Sequence, residues 1–417
     1  MVAFKKMYNQ LKNMLRKKIF FILLCFACNI ATAQTGTGEK DNKETNPPDS
    51  LGIDAKDIWH SVFKKHKSQS TALKKFQTVV IPGIGYSLQT GWAGAVGISS
   101  TFSNSNLPGQ KASNILAVPT YTQKSQTIIP ITANIWSKNN KYNFITDFRF
   151  VTYPSSIYGL GGRVDPTIGF NINYHSIKFH QSVQKEFAKN FYIGVGYYYD
   201  QYWDITVLDS LKRNIAVRLA NKLGTNETAS GLAVKALYDS RLNQVNPQQG
   251  IYANVVFRKN LTVLGSDANW NSLLIDTRVY LPFPAGSKNI LAFWNYDLLT
   301  IGNNKPPYLM LPSTGWDDYY NTGRGYVQGR FRGKNMYYAE TEYRVRLTPN
   351  DLLHGVAFFN VESFSGDLSK SYKSLLPGYG LGLRFKLNKF SNTNMCLDYG
   401  FGKNGSRGFF VNLGEVF

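Results

Sequence analysis

Between Tyr337 and Leu347 the side chains alternate without a break. Tyr337, Ala339, Thr341, Tyr343, Val345 and Leu347 fall on one face, and Tyr338, Glu340, Glu342, Arg344 and Arg346 on the other. A period of two places successive side chains on opposite faces of an extended strand. An apolar, aromatic-ended face opposite one of mixed charge has no place in a soluble core, which would have to bury one row or expose the other. It suits a barrel strand that meets lipid outside and a polar lumen inside.

The same period runs on from Gln77. It predicts strands near 77–86, 92–103, 113–124, 126–136, 141–152, 166–183, 190–202, 229–239, 250–260, 269–282, 289–301, 337–348, 352–362, 375–388, 394–403 and 408–417. Sixteen is an even number, as a bacterial antiparallel barrel requires. Two faces stand out. Ile168, Phe170, Ile172 and Tyr174 oppose Asn171, Asn173 and His175, and Tyr379, Leu381, Leu383, Phe385 and Leu387 oppose Arg384, Lys386 and Asn388. In both, the apolar row is expected to face lipid and the polar row the lumen. With the N-terminus in the periplasm, the odd connections face outward, including the two longest, near 203–228 and 302–336.

The chain ahead of the strands reads differently. Lys5, Lys6, Lys12, Arg16, Lys17 and Lys18 precede an apolar run from Ile19 to Ile30 and then Ala31-Thr32-Ala33, the form of a secretory signal over residues 1–33. Cys25-Phe26-Ala27 fits poorly as the box before a lipidated Cys28. Residues 34–76 read as a disordered tether followed by a short amphipathic helix carrying Ile58, Val62 and Phe63. The fold expected for 77–417 is all-β, a transmembrane antiparallel β-barrel of about sixteen strands.

Composition narrows the partners. The 417 residues carry a net charge of +21, and without the six basic residues of the signal the remaining 41 basic and 26 acidic residues leave +15. Export argues against nucleic acid as the partner of that charge and for outer-membrane lipid and lipopolysaccharide. Of three cysteines, Cys25 and Cys28 lie in the signal, which leaves Cys396 without a disulfide partner or a cysteine metal site. After the signal there is no run of about eighteen apolar residues, so a membrane would have to be crossed by strands. The 26 Tyr, 27 Phe and 7 Trp are in keeping with aromatic girdles at two membrane interfaces.

Catalytic chemistry finds little support. His175 and His180 are five positions apart and so on opposite faces, His60 and His66 lie in the leader, and His354 sits near Asp351 at a predicted turn. No serine elbow, paired metal ligands or phosphate loop is present, and no enzyme activity, metal or cofactor is expected.

Spaced motifs carry a resemblance. Gly323-Arg324-Gly325-Tyr326 precedes the twelfth predicted strand, which contains Glu342-Tyr343-Arg344. The run Ala229-Ser230-Gly231-Leu232 to Tyr238-Asp239-Ser240-Arg241, with Asn243, Pro247 and Gly250, has the form YDSRxNxxxPxxG. Gly380-Leu381-Gly382-Leu383-Arg384, Leu397-Asp398-Tyr399-Gly400 and Val411-Asn412-Leu413-Gly414-Glu415-Val416-Phe417 follow in order. From about Gln77 to Phe417 the chain resembles the BamA/TamA superfamily of outer-membrane insertases and translocators, the bacterial surface antigen type.

The resemblance implies a sixteen-stranded barrel whose Arg-Gly-Tyr loop folds into the lumen. Arg324 would be held there by inner-wall acids, with Glu340 and Glu342 as candidates beside Arg344. Two positions depart from the family pattern. Gly323 stands where Val or Ile is usual, and Phe359-Asn360-Val361-Glu362 where an Asp and then a Gly are common. Full insertases carry periplasmic polypeptide-transport domains, whereas about forty residues separate Gln34 from Gln77, so a barrel-only member is expected.

The resemblance also implies action at the seam between first and last strands. Pro82 removes a ladder donor there, and Gly83 and Gly85 weaken the strand. Phe409, Val411, Leu413 and Phe417 are expected on one face of the last strand, the aromatic ending resembling the signal by which barrel-assembly machinery recognises its own clients. The function implied is assembly or translocation of polypeptide clients in the outer membrane of a Gram-negative bacterium. The alternative is a passive pore lined by Lys235, Asp239, Arg241, Asp276, Arg278, Arg344, Arg384 and Asp398.

Overall fold

The computed structural model describes residues 76–87, 89–105, 107, 109–162, 169–208, 223–317, 321–365, 372, 374–389 and 392–417. The predicted signal, tether and short helix lie outside the described residues except for Phe76. Eighteen strands follow in order: β1 (Phe76–Ser87), β2 (Gly91–Phe102), β3 (Ser113–Ala117), β4 (Thr120–Thr122), β5 (Thr127–Trp136), β6 (Tyr142–Thr152), β7 (Ser155–Ile157), β8 (Phe170–Ala188), β9 (Phe191–Val207), β10 (Glu227–Asp239), β11 (Gly250–Asn260), β12 (Trp270–Pro282), β13 (Ile290–Ile301), β14 (Met336–Arg346), β15 (Leu353–Phe364), β16 (Leu376–Asn388), β17 (Thr393–Gly402) and β18 (Arg407–Leu413). All belong to one sheet.

Eighteen strands make sixteen crossings of the wall. β3 and β4 pair with β2 in one continuous register, Ala117 opposite Ile98 and Thr120 opposite Ala95, and both pair with β5. Val118-Pro119 interrupts them, because proline has no N–H to give the ladder. Its carbonyl still accepts from Val96 N at 3.0 Å. β6 and β7 likewise share β8 in one register, Thr152 opposite His175 and Ser155 opposite Ile172, interrupted at Tyr153-Pro154. The expected sixteen strands are these sixteen crossings.

The outer wall is apolar, with Tyr379, Leu381 and Leu383 at 57, 69 and 47% exposure, while Arg384 and Lys386 farther along the same strand point inward and are buried. The core is the lumen itself. Tyr280, Trp294, Tyr296, Met336, Tyr338 and Phe364 of the walls pack on Tyr326 and Phe331 of the loop between β13 and β14. No helix among the described residues is long and apolar enough to cross a membrane.

Two expectations about faces are corrected. On β8, Phe170, Ile172 and Tyr174 point into the barrel, packed with Tyr308, Leu309 and Leu311 of the loop, and Asn171 faces outward; Ile168 is outside the described residues. At nineteen residues β8 exceeds the about 9–11 that span a bilayer, so this end can stand clear of lipid, with its apolar row packed on the loop and its polar row in water. At the other end of the chain, β18 stops at Leu413 and a left-handed Gly414, φ 90°, turns the last residues into the lumen. Phe409 and Val411 are exposed on the outer face, whereas Phe417 is 3% exposed and lies on Trp294 with centroids 5.2 Å apart. An aromatic ring that can stack on an indole and a tyrosine inside gains more there than at the strand's outer edge.

Candidate functional site

Between β13 and β14 the described residues 302–317 and 321–335 enter the lumen, where Arg324 is clamped. Arg324 is 1% exposed, and its guanidinium donates to Asp398 of β17 at 2.5 Å and to Glu340 and Glu342 of β14. It also lies over the Phe358 ring at 3.8 Å. Tyr338 O–H donates to Glu340, Arg344 Nε to Glu342 at 2.7 Å, and Arg384 to Asp398 and, at 2.9 Å, to Glu415. Three arginines thus face four carboxylates inside the barrel. Desolvation of so many charges offsets most of their attraction, so the cluster holds the tip in one position more than it adds net stability.

A floor of glycines receives the tip. A Cβ on Gly378 would lie 2.5 Å from Arg324 O, one on Gly400 2.8 Å from Gly325 N, and one on Gly402 2.6 Å from the Tyr326 ring. The loop backbone lies directly on the backbone of β16 and β17. Tyr326 O–H donates to Pro377 O at 2.6 Å and accepts from Lys403 N at 2.9 Å, and Ser406 donates to Gly325 O at 2.7 Å.

The two departures from the family pattern meet here. Gly323 has φ 73°, and a Cβ on it would lie 2.5 Å from Thr314 and 2.9 Å from Glu362 Oε2. Buried Glu362 accepts from Thr314 at 2.9 Å, and Asn360 donates to Arg324 O at 3.0 Å. Gly323 leaves the room that the Glu362 side chain of β15 occupies, so the two departures are two sides of one contact.

Several holding residues escaped the sequence reading. Asp398 is the third acid on Arg324; as the one acid of β17 at an inward position, it was recognisable only as lumen lining. Arg332 anchors the loop by donating to the carbonyls of Tyr308, Leu309 and Leu311 at 3.0, 3.1 and 3.1 Å. Glu227 of β10 accepts from Leu309 N at 2.9 Å. Asn321 reaches the end of the chain, donating to Val416 O and accepting from Asn412 of β18, both at 2.7 Å. None of these carries a local sequence signal, because each bridges distant segments.

The turn motif forms a second fixed point. Arg241 N and Nε both donate to Asp239 Oδ1, at 3.1 and 3.0 Å, and the guanidinium lies 4.3 Å from the Tyr252 ring. Ser240 exchanges backbone and hydroxyl bonds with Ile251, Pro247 is buried, and Gly250 takes φ 113°. Glu415 N donates to Val245 O at 3.3 Å, so this turn touches the inward tail. The proposed pore lining of Lys235, Asp276 and Arg278 is also inward and buried, with Arg278 paired to Asp276 at 2.7 Å.

The seam differs from every other boundary in the wall. β1 pairs with β2 and β18 with β17, but among the described residues no ladder joins β1 to β18. The two strands nevertheless touch, since a Cβ on Gly85 would lie 3.5 Å from Val411 Cβ. Val96 opposes Pro82 and sends its N–H away, to Pro119 O. In an antiparallel pair both N–H groups of such a position point outward from the pair, so the donor that Pro82 lacks is one that would have faced β18. Gly83 sits opposite Ala95, with an open inner side.

Residues 153–417 match the Omp85 superfamily domain. No curated protein matches the sequence significantly. Among solved structures, BamA from Haemophilus ducreyi lacking POTRA domains 1-3 is similar at TM-score 0.50 and 14% identity, over 81% of this chain and 70% of that one. CdiB from Acinetobacter baumannii is similar at 0.53 and 15%, over 83% and 61%, and CdiB from Escherichia coli at 0.54 and 10%, over 81% and 62%. The chain therefore spans less than two thirds of either CdiB chain, and at these identities the likeness is one of fold.

Proposed function

The chain belongs to the Omp85 superfamily, and on that premise we propose that it assembles or translocates polypeptide clients at the outer membrane by opening its β1/β18 seam. The observation that carries the proposal is the boundary itself, two strands in contact without a ladder. Each backbone hydrogen bond is worth a net of about 0.5–1.5 kcal/mol, so separating strands that share none leaves mainly side-chain contacts to break. A freed edge of β1 or β18 is a template to which a client strand can add.

The lumenal loop supports the same reading. It packs Tyr326 and Phe331 against wall side chains inside the barrel, which narrows the path for solutes, and it ties the seam to the clamp. Arg324 spans β14 and β17, and Asn321 binds β18 directly. Movement of the loop tip is thereby coupled to the strand that must move for the seam to open. The loop packed inside the barrel weighs against a passive pore.

Depletion of the protein followed by quantification of the outer-membrane proteome tests the role. Loss of a defined set of barrels or surface polypeptides supports it, and unchanged levels of all of them contradict it.

A further inference from the structure

Asp239 ends β10 and Gly250 begins β11, and the chain takes residues 240–249 to join them. At the same end of the barrel, where β1 begins, Lys189 and Asn190 alone join β8 to β9. A hairpin closes with about two to five residues, so the longer connection has a use beyond turning the chain. It is not a solvated loop either. Asn246 is 2% exposed and Pro247 is buried. Asn243 Oδ1 accepts from Val245 N at 2.8 Å and from Asn246 N at 2.9 Å, which fixes the bend.

The contacts of this connection lead away from its own strands. Gln244 Oε1 accepts from Asn134 Nδ2 of β5 at 2.9 Å, and Gln244 Nε2 donates back to Asp239 at 3.1 Å. Val245 O accepts from Glu415 N at 3.3 Å, and a Cβ on Gly414 would lie 3.8 Å from Val245 Cγ1. With β3–β4 and β6–β7 each counted as one crossing, β5 is the fourth, β10 the eighth and β18 the sixteenth. In a wall of sixteen the eighth and sixteenth crossings stand opposite each other, with the fourth midway. The connection therefore reaches from one side of the mouth to the tail that leaves the other, and is tied to the wall between them. Lys111, from the connection between β2 and β3, comes in beside it, lying over the Trp136 ring at 4.5 Å and donating to Asp239 O.

We propose that residues 240–249 form a strap that crosses and obstructs the mouth at which β1 begins, at the end opposite the loop between β13 and β14. A polypeptide or solute arriving from that side meets the strap first. The strap obstructs the mouth whether or not the seam opens.

Cysteine accessibility tests it. Asn254 and Asn260 are inward positions of β11, 7 and 0% exposed, six residues and so about 20 Å apart along the strand. Asn254 is the next inward position after Tyr252, whose ring Arg241 of the strap covers at 4.3 Å, and Asn260 lies at the far end. Asn254→Cys and Asn260→Cys are made separately in the full chain carrying Cys396→Ala, and alkylation by a water-soluble maleimide is timed in detergent micelles. With the strap intact both are expected to react slowly. Asn134→Ala frees the strap from the wall, and Asn243→Ala frees its bend. Each should speed alkylation at 254 by about twofold to tenfold, the effect of about one net hydrogen bond on an opening equilibrium, and leave 260 unchanged. Excising residues 242–248 should speed it further. An unchanged rate at 254 in all three variants overturns the proposal. So does an equal rise at 254 and 260, because the connection would then be holding the wall together rather than obstructing the mouth.

Discussion

Arg324 and Asp398 stand 74 positions apart in the chain, yet Arg324 Nη1 donates to Asp398 Oδ2 at 2.5 Å. With Glu340 and Glu342 on the same guanidinium, one loop residue joins β14 to β17 over the two strands between them. Removing it leaves three buried carboxylates facing one another. Arg324→Ala is expected to destabilise the barrel by about 3–5 kcal/mol, the cost of stranding buried charge. Heat-modifiable mobility and proteolysis of the 302–335 loop measure it, and unchanged values in both contradict the clamp. Arg324→Lys should recover only part of the loss, because an ammonium cannot spread over three acceptors as a planar fork does.

The glycine floor can be tested without touching the loop. A Cβ on Gly400 would lie 2.8 Å from Gly325 N and 3.1 Å from Arg324 C, both backbone atoms that cannot step aside. Gly400→Ala should cost about 1–3 kcal/mol and render the loop protease-sensitive. A neighbouring change on the lipid face, Tyr399→Phe, serves as the control and should leave the loop protected.

The wall and the loop were legible in the sequence to different degrees. Period-two alternation is local, so β14 and β16 were readable from Tyr337 to Leu347 and from Tyr379 to Leu387. The same signal misassigned β8, because an apolar row looks alike whether it meets lipid or Leu309 of a loop more than a hundred residues away. Phe417 failed for a related reason: alternation extended β18 through Gly414, whose left-handed turn sends the tail inward. Arg324, Glu340 and Glu342 were found through a motif, whereas Asp398, Arg332 and the Gly378, Gly400 and Gly402 floor depend on contacts that only folding creates.

The turn between β14 and β15 carries a pH dependence. Burial works to raise the Asp351 carboxyl, but the hydrogen bonds from His354 and Lys386 and the charge of Lys386 outweigh it and hold the group below the usual carboxylate range. A depressed folded pKa means that the stabilisation is complete above the unfolded value of about 3.9 and is lost as pH falls through the folded value. Thermal midpoints of the wild type and Asp351→Asn should differ at pH 6 and converge under strong acid. The effect is modest, because the side chain is 31% exposed and partly screened. A gap that persists unchanged into strong acid contradicts it.

A lumen narrowed by the loop predicts small, unsteady currents in a planar bilayer. Deleting residues 321–333, which include Arg324 and the Tyr326 and Phe331 rings packed in the core, should raise the conductance and steady it. A large, steady conductance in the intact protein contradicts the plug and favours a pore.

If the wall opens between β1 and β18, a disulfide across that boundary will hold it shut. The 3.5 Å between a Cβ on Gly85 and Val411 Cβ is at the near edge of the about 3.5–4.5 Å that a disulfide spans, and the native Cys396 is buried away from it. The measurement is insertion of an unfolded β-barrel client into liposomes carrying Gly85→Cys/Val411→Cys, oxidised or reduced, scored by the client's protease resistance. The oxidised form is expected to fail, and reduction to restore insertion to the level of the unsubstituted protein. Equal insertion by a fully oxidised and a reduced seam would contradict it.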